Sequence, residues 1–141
     1  MNLTAQFAVA QAVARVMVDQ ASGGAIVNVA SILGLVGVGQ IPQAGYAASK
    51  GGIVNLTREL AAQWARNGIR VNALAPGWFE SEMTEEMFAS EGGEKWVARR
   101  APLGRRGREH ELDGALLFLT SDASSYVTGH ILAVDGGWTS V

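Results

Sequence analysis

The run that decides the fold is Ala25-Ile26-Val27-Asn28-Val29-Ala30. It is short, rich in β-branched residues and largely apolar, which is typical of a strand buried on both faces. Ser22-Gly23-Gly24 comes directly before it and ends a helix predicted over residues 3–20. The apolar stripe of that helix is formed by Phe7, Ala10, Ala14, Met17 and Ala21. A strand buried on both faces favours a parallel sheet, because helices must cover each side of it.

Two more strands are predicted further along the chain. Residues 69–75, Ile-Arg-Val-Asn-Ala-Leu-Ala, end sharply at Pro76-Gly77, and residues 130–134 end at Asp135-Gly136-Gly137. Helical patterns separate the strands, so the element order is α, β, α, β, α, β. The sequence therefore predicts an α/β fold with three parallel strands joined by right-handed crossovers.

The intervening helices are predicted from apolar residues at helical spacing. One contains Tyr46 and ends at about Asn67-Gly68, a good C-terminal stop. Another is predicted over residues 109–121. The inward face of this last helix is expected to carry Leu112, Leu116 and Leu119. Residues 78–107 are irregular, with short helical pieces predicted near 81–90 and 93–100.

Composition excludes several classes of protein. The 141 residues suit one domain, and 48% are hydrophobic, so a real core can form. A net charge of -2 gives no reason to expect nucleic acid as a partner. Without cysteine there is no disulfide, thiolate metal site or thiol nucleophile, and His110 and His130 lack metal-ligand spacing. No apolar run reaches the roughly 20 residues that a membrane helix needs, so a soluble cytoplasmic protein is expected.

Tyr46-Ala47-Ala48-Ser49-Lys50 is the strongest candidate for chemistry. Residues four apart on a helix lie on one face, one above the other. An ammonium group held beside a phenol stabilises the phenolate, which helps the tyrosine exchange a proton near neutral pH. The pattern is common by chance, so its context must support it.

Further candidates lie where strands end. Ser31 follows the first strand, and Pro76-Gly77 follows the second, with Ser81 shortly after it. Ligands of open α/β sheets bind outside these carboxyl ends. The alternative for each is an ordinary strand ending. A basic cluster is expected to be a solvated loop because glutamates flank it, with a phosphate or carboxylate contact as the alternative. Its members are Arg99, Arg100, Arg105, Arg106 and Arg108. Trp64 and Trp138 are expected in the core or at an interface.

In their order along the chain, four motifs resemble the short-chain dehydrogenase/reductase family. The motifs are Asn28-Val29-Ala30-Ser31, Tyr46-x-x-x-Lys50, Arg70-Val71-Asn72-Ala73-Leu74-Ala75-Pro76-Gly77 and Asp135-Gly136-Gly137. Each is modest alone, but the ordered series is specific and covers essentially the whole chain. The similarity extends to 3-oxoacyl-carrier-protein reductases and to sugar-acid or alcohol dehydrogenases, without separating them.

The resemblance implies a role for each matching residue. Tyr46 would be the general acid/base, and Lys50 would stabilise its phenolate and hold the nicotinamide ribose. Ser31 would hydrogen-bond the reacting oxygen, and Asn2 would hold a water linked to the lysine. The nicotinamide would be lined by Pro76, Gly77 and Ser81, the last standing where the family more often has threonine.

The resemblance also implies a partial Rossmann-like, doubly wound parallel sheet and a cofactor, NAD or NADP. It implies a small-molecule alcohol or ketone substrate, a homodimer or homotetramer, and a substrate lid at residues 78–107. The family's glycine-rich cofactor turn has no counterpart in this sequence. Residues 1–141 are therefore expected to be the C-terminal part of one dinucleotide-binding domain, from a fragment, a truncated frame or a two-chain enzyme.

Two other functions remain open at the level of sequence. A catalytically silent remnant could still associate with other subunits through the helix at residues 3–20 and the helix of Tyr46. A deacylase or esterase using Ser31 is weakly supported, because the Gly-x-Ser-x-Gly elbow is absent.

Overall fold

The computed structural model describes residues 2–141, with the side chain of Asn2 excluded. Its helices are α1 (Asn2–Asp19), α2 (Ala44–Trp64), α3 (Glu85–Phe88), α4 (Glu91–Ala98) and α5 (Asp113–Thr120). Its strands are β1 (Gly24–Val29), β2 (Ile69–Pro76) and β3 (Ile131–Val134). Short 3-10 turns lie at Ile32–Gly34, Ala65–Asn67, Glu109–Leu112, Asp122–Ser124 and Trp138–Ser140. Across the described residues, no helix is both long and apolar enough to cross a membrane.

The three strands form one parallel sheet in the order β1-β2-β3. Gly24 lies opposite Ile69 and Val29 opposite Leu74, while Ala73 lies opposite Ile131. The predicted α/β fold with three parallel strands is thus confirmed. Because the strands are parallel, their carboxyl ends meet at one edge of the sheet, where ligands of such sheets bind.

One face of the sheet is covered by α1 and α2. The alternate β2 residues Ile69 and Val71 pack there against Leu60, and none of the three is more than 2% exposed. Ala10 and Ala14 of α1 join this cluster, as their small side chains let the helix come close. Phe7 was predicted on the same stripe but is 38% exposed. The part of α1 that packs against the described protein is narrower than the apolar stripe of the helix.

The opposite face carries α5, which is shorter than predicted because residues 109–112 form a separate 3-10 turn. Leu119 is fully buried, but Leu116 is 45% exposed, so its predicted inward position is wrong. The helix contacts β1 and β2, and no described strand lies beyond β1 to cover its outer part.

Two polar residues of β2 attach α5 and the chain before β3 to this second face. The Arg70 guanidinium donates to the carbonyl oxygens of Leu119 (3.0 Å) and Ser121 (3.1 Å), at the C-terminal end of α5. Asn72, fully buried, donates to the carbonyl oxygen of Val127 (2.9 Å), and its amide oxygen accepts the backbone N–H of His130 (3.0 Å). The polar positions of this strand therefore hold the chain leading into β3.

Candidate active site

Ser31 lies at the carboxyl end of β1 and is 8% exposed. It caps the 3-10 turn that follows, since its Oγ accepts the backbone N–H of Leu33 at 3.2 Å. A serine hydroxyl that accepts one hydrogen bond still has a proton to donate. Ser31 therefore ends the strand, as the alternative interpretation expected, and its hydroxyl proton also remains available to donate a hydrogen bond.

Tyr46 and Lys50 lie one turn apart near the start of α2. The Lys50 Nζ is 5.6 Å from the centroid of the tyrosine ring and donates to the carbonyl oxygen of Val29 at 2.8 Å. That oxygen also accepts from Nε2 of Gln6 at 3.0 Å. Lys50 is only 8% exposed, and burial lowers its pKa from the ordinary value of 10.5. The ammonium is thus fixed between the end of β1 and the tyrosine.

Gly34 brings the Ser31 turn against the helix that carries Tyr46. A Cβ added at Gly34 would stand 2.6 Å from the backbone carbonyl carbon of Lys50, closer than real Cβ contacts. On α2, Gly51 faces this approach, since an added Cβ there would be 3.6 Å from the Gly34 oxygen. Glycine is required at position 34 for this close approach of backbones.

A cavity of about 180 Å³ brings the candidate residues together. Ser31, Tyr46 and Gly77 all line it. The other lining residues are Ile32, Leu33, Ile41, Gln43, Trp78, Met83, Thr84 and Met87. Pro76 ends β2 directly before Gly77 and is half-buried. Three hydroxyl-bearing residues from different segments, Ser31, Tyr46 and Thr84, therefore line one space at the carboxyl edge of the sheet.

Ser81 does not line this cavity. It is exposed, lines a separate cavity of about 860 Å³, and its Oγ lies 3.2 Å from the Oγ1 of Thr84. Thr84 takes the place beside Ser31 and Tyr46, and its hydroxyl donates to the carbonyl oxygen of Phe79 at 2.7 Å. Sequence reasoning missed Thr84 and Gln43. The position of Gln43 three residues before Tyr46, one helical turn away, was the available signal. Asn2 is the first residue of α1, and its side chain lies outside the described part of the chain.

Two arginines of the basic cluster, Arg105 and Arg106, form ion pairs. Arg105 makes a two-pronged contact with Glu111 at 2.7 and 2.8 Å, and this hydrogen bonding lowers the pKa of Glu111 to about 2. Arg106 pairs with Glu80 at 3.0 Å and with Glu94 at 3.4 Å. These pairs link residues 104–108 to α4 and to the 3-10 turn before α5.

Segment 78–107 is also attached through aromatic residues. The rings of Trp78, Trp96 and Trp138 form a cluster with centroids 5.2 to 5.5 Å apart. Trp138 is buried, as expected. The Gln40 Oε1 accepts from Nε1 of Trp96 at 2.7 Å and from Nη2 of Arg100 at 2.9 Å. Helix α4 is therefore tied to the loop that precedes α2.

Comparison with known proteins gives a consistent picture. The family model described as enoyl-(acyl carrier protein) reductase matches residues 1–139. Gluconate 5-dehydrogenase of Gluconobacter oxydans (strain 621H) is 47% identical over 139 residues, which cover 98% of this chain and 53% of that protein. Galactitol 2-dehydrogenase (L-tagatose-forming) of Cereibacter sphaeroides is 48% identical over 139 residues, which cover 98% of this chain and 54% of that protein.

A crystal structure of a gluconate 5-dehydrogenase from Burkholderia cenocepacia J2315, in complex with NADP and tartrate, superposes with a TM-score of 0.94. It is 44% identical, over 99% of this chain and 54% of that one. The likeness confirms the predicted Rossmann-like sheet. The chain spans about half the length of the curated relatives it matches.

Proposed function

The chain belongs to the short-chain dehydrogenase/reductase family, and we propose that it supplies the catalytic part of an NAD- or NADP-dependent oxidoreductase that interconverts a hydroxyl and a carbonyl group. The observation that carries this proposal is the shared cavity of Ser31 and Tyr46, with the Lys50 ammonium beside the tyrosine ring. The substrate is a small-molecule alcohol or ketone.

The proposed chemistry divides between cofactor and protein. When bound, the nicotinamide accepts or gives the hydride at the reacting carbon. In the oxidative direction Tyr46 accepts the hydroxyl proton of the substrate, and in the reductive direction it gives a proton to the carbonyl oxygen. The Lys50 ammonium stabilises the phenolate form of Tyr46. The Ser31 hydroxyl donates a hydrogen bond to the substrate oxygen and so orients it.

The residues present fit the nicotinamide end of such a cofactor. An ammonium group has three donors, and within the described residues Lys50 uses one of them on Val29. The others are free for ribose hydroxyls. Pro76 and Gly77 stand at the carboxyl end of β2, where the nicotinamide would lie, and Ser81 would reach it after release from Thr84. Asn2 would hold the water next to Lys50. The pyrophosphate needs the family's glycine-rich turn, which these residues do not supply.

Residues 78–107 are proposed as the substrate lid. Met83, Thr84 and Met87 line the cavity from this segment, opposite Ser31 and Tyr46. The ion pairs of Arg106 and the contacts of Gln40 hold α4 beside them. Such a segment would exclude water during the reaction and open for exchange of substrate.

The decisive test is Tyr46→Phe, which removes the proton-carrying hydroxyl and little else. We expect turnover to fall by about 10²- to 10⁴-fold, while the affinity for NADP(H) stays nearly unchanged. The protein for this test is a chimera joining this chain to the half of the Gluconobacter oxydans relative that lies outside the match. Steady-state kinetics with a panel of ketones, sugar acids and acyl thioesters gives the rate, and cofactor titration gives the affinity.

Two controls make the test decisive. A smaller chimera carries only residues 31–50 of this chain in the relative, so that folding of the larger chimera is not required. It should turn over substrate and lose that activity with the same tyrosine substitution. A folded chimera that binds cofactor but has no activity with Tyr46 intact would overturn the proposal, as would a Tyr46→Phe variant that keeps more than about a tenth of the rate.

A second candidate function is association without catalysis, and the exposed face of α1 favours it. Val9 is 63% exposed and Val16 is 53% exposed, on a helix that the family resemblance places in a subunit interface. We expect the chain to form a homodimer or homotetramer through this face. Sedimentation of the chain and of its Val9→Glu, Val16→Glu double variant measures this directly, and a wild-type monomer would contradict it.

A further inference from the structure

A second cavity, of about 280 Å³, adjoins the cavity that holds Ser31 and Tyr46. Both are lined by the same four residues, Leu33, Ile41, Gln43 and Trp78. The second cavity continues along the loop before α2 and ends against the first turns of that helix. Its remaining lining residues are Val36, Gly37, Val38, Gly39, Pro42, Ala44 and Ala47. The two cavities therefore lie side by side and share one wall, so the second cavity adjoins the space that holds the proposed reacting carbon.

The second cavity is apolar in character. Among its described lining residues none carries a charge, and Gln43 supplies the polar side chain, at the junction of the two cavities. The nearby Arg100 is engaged elsewhere. Its guanidinium lies 4.5 Å from the ring centroid of Trp96 and donates to Gln40. The described lining therefore offers a carboxylate no cation to pair with, whereas its apolar side chains favour an apolar group.

We propose that the substrate extends from the carbon between Ser31 and Tyr46 into this second cavity, and that the substituent there is an apolar, uncharged alkyl chain or ring. The inference rests on the proposed function and deepens it by naming the substrate class, a secondary alcohol or ketone with one apolar arm. It separates this chain from the relatives above, whose names refer to a sugar acid and a sugar alcohol.

Binding to the 141-residue chain tests the inference directly. Trp78 lines both cavities, so its fluorescence should respond when methyl ketones from butanone to octanone are titrated. We expect Kd to fall about fourfold for each added methylene until the cavity is filled. Gluconate should produce no response. The Trp78→Phe variant should lose the signal, which assigns it to this site.

Matched substitutions on α2 locate the binding space. Ala44→Leu fills the second cavity and should weaken octanone binding at least tenfold, while butanone changes less than twofold. Ala62→Leu makes the same change at an exposed position outside both cavities and should alter neither. Val38→Ala enlarges the cavity, so the gain in affinity should continue to longer ketones; this variant serves if Ala44→Leu is unstable.

Turnover by the chimera distinguishes a failure of the apolar subsite from a failure of the proposed oxidoreductase function. Ketone reduction whose kcat/KM rises with chain length supports both the subsite and the function. Reduction with no chain-length preference, or with a preference for 5-ketogluconate, would overturn the apolar subsite while the proposed function stands. Chain-length-dependent binding without turnover of any substrate would instead count against the proposed function. An absence of any fluorescence response to octanone would overturn the subsite.

Discussion

The two faces of the sheet are built in different ways. The α1/α2 face is held by apolar side chains from which water is excluded, with Ile53, Leu60 and Val71 at most 2% exposed. The α5 face has Leu119 fully buried, but Leu117 is 67% exposed and Phe118 is 39% exposed. Its helix is fastened largely by the hydrogen bonds of Arg70 to backbone carbonyls.

The difference follows the location of the candidate chemistry. Tyr46 and Lys50 lie on α2, so the densely packed face also carries the proposed reacting groups, which the proposed chemistry needs held within a fraction of an ångström. The α5 face bears no candidate catalytic residue. We infer that apolar packing on the α1/α2 face sets the geometry of the site. Hydrogen bonds from Arg70 and Asn72 on the α5 face set the path of the chain into β3.

The largest effect is expected from Lys50→Met, which separates catalysis from stability on the α2 face. Methionine keeps the apolar stem but removes the ammonium, so turnover by the chimera should fall at least about 10²-fold. Burial lowers the pKa of Lys50 in the folded chain below its ordinary value of 10.5. The unfolded chain therefore binds the proton more tightly, and the free energy of unfolding rises with pH between the folded-state pKa and 10.5. The variant should lose this rise in urea unfolding curves. An unchanged rate would show that Lys50 has no catalytic role.

The next effect compares a leucine from each face. Leu60→Ala leaves a cavity in the packed cluster and should lower the free energy of unfolding by about 2–5 kcal/mol. Leu117→Ala should change it by no more than about 0.5 kcal/mol, because that side chain is 67% exposed. Urea denaturation of both variants gives the two numbers. Equal losses would mean that the α5 face is covered in solution.

Arg70→Met tests whether hydrogen bonds hold the α5 face. The variant leaves the carbonyl oxygens of Leu119 and Ser121 without their donor, which should cost about 1.5–3 kcal/mol. Amide hydrogen exchange should rise in α5 and in the chain before β3 but not in α2. Arg66→Met is the matched control, at an exposed position in the turn after α2. Uniform loss of protection across both faces would contradict this account.

The smallest effect is expected at the Arg105–Glu111 pair, which lies outside both faces. The pKa of Glu111 is lowered from 4.5 to about 2, so its contribution to stability is complete above 4.5 and is lost as the pH falls toward 2. Glu111→Gln should flatten the decline in stability over that interval, as measured by thermal unfolding at each pH. A decline as steep as that of the wild type would place the acid sensitivity elsewhere.

The sequence predicted those parts of the fold that short stretches determine. The apolar runs at residues 25–30 and 69–75 identified strands, because a strand buried on both faces has no polar alternation to obscure it. Tyr46 and Lys50 could be paired because helical geometry fixes the relation of residues four apart.

What the sequence did not predict depends on distant neighbours. Leu116 has the spacing of a core residue, and only the positions of the strands show that nothing described covers it. Thr84, and not Ser81, lines the cavity, because the turn at 79–84 folds back on itself through the threonine hydroxyl. The link of Gln40 to Trp96 joins residues far apart in sequence, and no local pattern reveals it.

The carbonyl oxygen of Val29 has one more consequence. It stands at the end of β1, on an edge strand of the described sheet, and it accepts hydrogen bonds from both Lys50 and Gln6. A carbonyl oxygen has two lone pairs, so neither remains for the N–H of an approaching strand. Open edges of this kind are where chains pair into aggregates. The lysine beside the Tyr46 ring therefore also occupies, together with Gln6, the carbonyl oxygen that ends β1, so this one acceptor is not available to another strand.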